Sequence, residues 1–119
     1  MGNHLGSELT AQVAAQSLGL SEKTLFDLRG ILSKQAGIRR VVVYGSRAIG
    51  RYKEGSDIDL ILDAPNLLFS ELSALKVACG DSMIPQEIDL ALFHEVTNSE
   101  LLSHIERVGI VVFEARAWE

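Results

Sequence analysis

At 119 residues the chain is sized for one domain, and its 47% hydrophobic and 23% charged content is that of a folded globular protein rather than a disordered one. A net charge of −5 argues against a general nucleic-acid binder, which needs a basic face to neutralise phosphates. Nucleotide binding stays open, because a divalent cation can neutralise such a contact locally. The single cysteine, Cys79, excludes an intrachain disulfide and any Cys/His zinc spacing. The start, MGNHLGSEL, has no basic region leading into an apolar run, and no apolar run approaches the roughly 20 residues that span a bilayer. A cytoplasmic protein without a membrane segment is therefore expected.

Residues 1–20 carry three glycines, Gly2, Gly6 and Gly19, that interrupt any long pattern, so a loosely ordered N-terminal arm is expected ahead of one domain over 21–119. Ser21 is a candidate N-cap with Glu22 in the first turn. Leu25, Leu28 and Leu32 then recur at helical spacing, which predicts a helix over 22–36 closed by Gly37. The continuous β-branched run Val41–Val43 predicts a central strand over 38–44. A second strand is predicted over 57–62, with Ile58, Leu60 and Leu62 on one face and Asp57, Asp59 and Ile61 on the other. Pro65 cannot continue a central ladder. Asn66 is read as the cap of a second helix through Leu68, Leu72, Leu75 and Ala78, closed by Gly80 and Asp81. A third strand is predicted over 87–93, a third helix from Asn98 to Gly109 and a short strand or extended tail over 110–113. Strands and helices mix, so the fold class is α/β or α+β, with a sheet of three to five strands covered by helices.

The chemistry gathers in one stretch, Val42 to Leu62, VVYGSRAIGRYKEGSDIDLIL. Asp57 and Asp59 lie about 6–7 Å apart along a strand and point to one face. Hard oxygen ligands with nothing soft beside them suit Mg²⁺ or Mn²⁺. Asp89 has the same phase on the third strand, so neighbouring second and third strands bring three carboxylates to one surface, as a two-metal transfer reaction requires. Gly45 directly after a strand permits an unusual backbone angle and close approach of a phosphate. Ser46 opens a short turn whose N–H groups favour anions, and Arg47 adds a forked cation. Each part alone has an ordinary explanation: a solvated strand face for the acids, a plain turn for Gly-Ser. The P-loop pattern and the G-x-G-x-x-G fingerprint are both absent.

The combination is rarer than its parts. Gly45-Ser46, ten intervening residues and then Asp57-x-Asp59 resembles the signature of the nucleotidyltransferase superfamily related to DNA polymerase beta, and is closest to its smallest branch, the minimal nucleotidyltransferases. The resemblance covers about Ile38 to Leu92, with Asp89 as the later third acid. It implies the nucleotidyltransferase fold, with Gly45 and Ser46 on the triphosphate. Asp57 and Asp59 would hold Mg²⁺, while Asp89 would complete the metal site and assist deprotonation of the acceptor. The implied reaction moves a nucleoside monophosphate from a nucleoside triphosphate, ATP first, to a hydroxyl, with release of pyrophosphate. Members of this size are often antitoxins paired with a HEPN-type ribonuclease toxin, and some add AMP to a toxin tyrosine.

Larger transferases carry a further domain for the acceptor. None fits in 119 residues, so a partner chain is expected to supply the acceptor. Leu67-Leu68-Phe69 and the tail Ile110–Phe113 with Trp118 are candidates for the interface, with core and strand edge as the alternative. Self-association is also open. The rival functions are neutralisation of a partner by binding alone and, ranked last, transfer to a small molecule of aminoglycoside type. No role is assigned to His4, His94, His104, Arg51, Lys53, Glu54 or Glu87. Cys79 is read as packing and Tyr44 as core.

Overall fold

The computed structural model describes residues 15–115. The β-branched run Val41–Val43 forms the heart of strand β1 (Arg40–Tyr44), which has a neighbour on each side. Strand β2 (Ile58–Asp63) pairs antiparallel with one edge of β1 and β4 (Ile110–Glu114) antiparallel with the other. Strand β3 (Ile88–Leu92) lies parallel to β2, giving one mixed sheet in the order β3-β2-β1-β4.

The two inner strands divide their side chains as the pleat requires. Val41, Val43, Ile58, Leu60 and Leu62 are fully buried and belong to one core cluster with Leu25, Leu28 and Leu32 of helix α1 (Glu22–Ser33) and Leu72 and Leu75 of helix α2 (Phe69–Gly80). Helix α3 (Ser99–Val108) packs on β1 from the opposite face. Its anchor is buried Ile105, and Gly109 ends it where a Cβ would strike both the Ile105 carbonyl and Val42 Cγ1. Glycine there lets the helix settle onto the strand. Ile61 is also buried, although it shares its face with Asp59.

Local signals set two helix starts as read. Ser21 Oγ accepts from the Thr24 N–H at 3.0 Å, and Asn98 Oδ1 from the Leu101 N–H at 3.0 Å. Elsewhere the boundaries move. Helix α1 stops at Ser33 rather than 36, and Gly37 lies in the turn beyond it. Helix α2 begins at Phe69, not after Asn66, because Leu67 closes a turn back to the Ala64 carbonyl and is buried. The Leu68 N–H then donates to Glu71 Oε1 at 2.9 Å, a carboxylate closing the helix start.

The expected loose arm over 1–20 is corrected in its later part. Residues 15–18 are helical, and Ala15, Leu18 and Leu20 are buried in the core cluster. Apolar contact overrides the glycine-based reading there. The arm's residues 1–14 lie outside the described residues, as does Trp118.

Candidate active site

Strand phase builds the site. Asp59 sits opposite Tyr44 across the antiparallel β1–β2 pair and opposite Asp89 across the parallel β2–β3 pair. Strands are spaced by about 4.8 Å, so Tyr44, Asp59 and Asp89 form one row across three strands on one face. Asp57 lies just before β2, exposed, where the Ile58 N–H donates to the Glu87 carbonyl at 2.8 Å and ties the two strand entrances together.

Gly45 ends β1 with φ +76°, a left-handed conformation that side-chain-bearing residues rarely adopt. A Cβ at Gly45 would lie 2.6 Å from Asp59 Oδ2. The missing side chain therefore makes room for the Asp59 carboxylate as well as for the backbone angle. Ser46 follows, partly buried, in a single 3₁₀ turn, Gly45–Arg47.

The acids share one electrostatic site. Burial first, then the charges of Asp89 and Asp57, hold the Asp59 carboxyl above its ordinary 3.8. Burial, then Asp59 and Asp89, pushes the Tyr44 phenol above its ordinary 10.0. Among the described residues no three acidic, histidine or cysteine side chains are gathered closely enough to hold an ion as they stand. Convergence on a cation requires the exposed Asp57 and Asp89 side chains to turn toward half-buried Asp59. The donor set nevertheless fits a hard divalent cation: it is all carboxylate, it sits on one surface, and its repulsion is relieved by positive charge.

Arg47 departs from its expected place. It is 1% exposed and points into the body of the protein. Its Nη1 donates to the Leu18 carbonyl at 2.9 Å, its Nη2 and Nε to the Ser56 carbonyl at 2.7 and 3.2 Å, and its guanidinium lies over the Tyr52 ring at 5.1 Å. Arg47 in this position clamps the segment at Leu18 and the loop at Ser56 and offers no fork to a phosphate. A Gly-Ser-Arg string does not record that Leu18 folds back over it, which is why sequence reasoning assigned it to the nucleotide.

Two features carried no local signal. His104, on α3, accepts the Gly45 N–H at Nε2, 3.2 Å away and 59 positions along the chain. A cavity of about 600 Å³ opens beside Asp57 and Asp89, lined also by Lys76, Gln86 and Glu87. Gln86 Oε1 is buried there without a hydrogen-bond partner. Tyr44, read as core, stands in the acid row; its pairing with Asp59 follows only once β1 and β2 are known to be antiparallel. Cys79 is buried as expected, and its burial pushes the thiol pKa up.

Two of the predicted aspartates thus stand on parallel neighbouring strands, the third lies just ahead of β2, and a glycine turn abuts Asp59. The sequence profile of the family described as "Polymerase beta, Nucleotidyltransferase" matches residues 27–117. The chain belongs to this family, and its four-stranded mixed sheet with helices is the nucleotidyltransferase fold. Among solved structures, a chain of a toxin–antitoxin complex with AMP-PNP is similar at TM-score 0.61 and 18% identity, over 82% of this chain and 76% of that one. A chain of the MntA–HepT toxin–antitoxin complex is similar at TM-score 0.54 and 14% identity, over 80% and 74%. A chain of the complex between tri-AMPylated Shewanella oneidensis HEPN toxin and MNT antitoxin is similar at TM-score 0.53 and 13% identity, over 77% and 73%. At these identities the likeness is one of fold. No match is found among curated proteins.

Proposed function

We propose that this chain is a minimal nucleotidyltransferase of the antitoxin type, moving AMP from ATP to a hydroxyl of a protein partner, a tyrosine of a HEPN-type toxin. The observation that carries the reading is the placement of Asp59, in register with Asp89 and seated against Gly45. The fold-level likeness to chains of MNT–HEPN complexes supports the partner class.

In this reading Gly45 and Ser46 receive the triphosphate. Asp57, Asp59 and Asp89 would hold Mg²⁺ or Mn²⁺, which when bound neutralises phosphate charge and lowers the pKa of an attacking hydroxyl. The acceptor oxygen bonds to the α-phosphorus in line with the leaving oxygen, the α–β bridging P–O bond breaks, and pyrophosphate departs. Asp89, exposed at the mouth of the 600 Å³ cavity, takes the acceptor's proton. That cavity gives the acceptor side chain room on the side of Asp57 and Asp89, away from Gly45 and Ser46, which do not line it.

The test is transfer of label from α-labelled ATP to the copurified partner. Asp57→Asn with Asp59→Asn should abolish it, and unchanged transfer would remove these acids from the reaction. A second reading, neutralisation by binding alone, is favoured by exposed apolar side chains at Leu68, just ahead of α2, and at Phe69 and Val77 on it. It predicts that the double variant still protects cells from the partner.

A further inference from the structure

We infer that His104 is a positioning residue for nucleotide binding, holding the Gly45–Ser46 turn through the Gly45 N–H. The inference rests on the reading of that turn as the triphosphate site. Its own ground is geometric. The Gly45 N–H donates to His104 Nε2 at 3.2 Å, and a ring nitrogen that accepts carries no proton.

The consequence concerns what Gly45 contributes. Its N–H is already engaged, so a phosphate oxygen must take its donors from Ser46 onward, from the Ser46 N–H and hydroxyl. Gly45 contributes its left-handed backbone and the space that admits the Asp59 carboxylate. Both are sensitive to rotation of the peptide unit between Tyr44 and Gly45, and the N–H of that unit is what His104 fixes. Without the imidazole, the left-handed angle at Gly45 is one of several open to glycine, and the turn loses a defined relation to Asp59.

His104 is in turn held by the packing of its helix. Its neighbour Ile105 is buried against the sheet, and Gly109 permits the close approach of α3 to Val42. The link runs from α3 to the turn, across 59 positions of sequence, through one hydrogen bond. His104 touches no reacting atom in this account; it acts through Gly45.

The experiment compares His104→Leu, which keeps bulk and loses the acceptor, with His104→Gln, whose amide oxygen can stand near the place of Nε2. Binding of AMP-PNP with Mg²⁺ is measured by calorimetry on the full chain, with urea unfolding and the Gly45 amide proton shift read in parallel. His104→Leu should weaken binding about tenfold and move the Gly45 amide proton upfield. His104→Gln should bind within about twofold of wild type and keep most of the amide shift. These changes correspond to about 1.4 and 0.4 kcal/mol respectively.

Equal binding by wild type and His104→Leu would overturn the inference, as would a Gln variant as weak as Leu at equal urea midpoint. If His104→Leu does not fold, the Gln variant and the amide shift decide: a Gln variant that folds but loses both the shift and the affinity contradicts the positioning role. Failure of wild type itself to bind AMP-PNP would overturn the reading of the turn as a nucleotide site and the inference with it. That outcome is distinct from wild-type binding that ignores position 104.

Discussion

Gly45 carries two constraints at once, a positive φ and the Asp59 carboxylate where a side chain would stand. Gly45→Ala should cost about 1–2 kcal/mol of stability from backbone strain alone and displace Asp59, which differential scanning calorimetry and nucleotide titration would both register. Asp59 gives a pH-dependent prediction. Its folded carboxyl holds a proton more tightly than the unfolded chain, whose ordinary value is 3.8. Below that value both states are protonated and there is no penalty. As pH rises from there through the raised folded value, the unfolded state releases its proton first and stability falls. Without divalent cation, Asp59→Asn should therefore melt above wild type at pH 7, and the gap should close toward pH 3.8. Adding Mg²⁺ should raise the wild-type melting temperature and leave that of Asp59→Asn unmoved. Arg47 makes the opposite kind of prediction. Arg47→Ala removes a buried cation bonded to the Leu18, Gly19 and Ser56 carbonyls, at a cost of about 3 kcal/mol by urea unfolding. Arg47→Lys should rescue little of it, because an ammonium lacks the planar fork. Unchanged stability with lost nucleotide affinity would return Arg47 to the phosphates.

At the scale of elements, α3 sets the geometry of the turn it faces. Gly109→Ala should lift its end off β1, because the added methyl meets the Ile105 carbonyl and Val42. A loss of about 1–3 kcal/mol in urea unfolding is expected from the overpacking, accompanied by weaker nucleotide binding through His104. Neither effect was legible in the sequence, where Gly109 reads only as a helix stop. The strands were far more legible. Val41–Val43 and the alternation Ile58-Asp59-Leu60 fix which residues share a face, and that phase predicted the meeting of Asp59 with Asp89 on the condition, met in the sheet, that β2 and β3 are neighbours. Helix starts were legible where a side chain caps them, at Ser21 and Asn98. They were misread at Asn66, because burial of Leu67 decided the turn there and burial depends on distant chain. The same reason accounts for Arg47 and His104, whose partners are fixed by docking of Leu18 and of α3.

For the whole molecule, the sheet divides the work. One face, under α1 and α2, is a continuous apolar core, and the other carries the acid row with α3 beside it. On α2, Phe69, 84% exposed, and Val77 stand in solvent among polar neighbours such as Lys76, and these are the side chains the partner reading draws on. In the proposed reading, catalysis and partner binding use different parts of the chain. The central claim, that the acid row moves a nucleotide, is tested most directly by offering the chain and its copurified partner ATP labelled at the α- or the γ-phosphorus. The account predicts label on the partner from α-labelled ATP only, dependent on divalent cation and lost in Asp57→Asn/Asp59→Asn. Label arriving from the γ-position, or α-label transferred equally by the double variant, would contradict it.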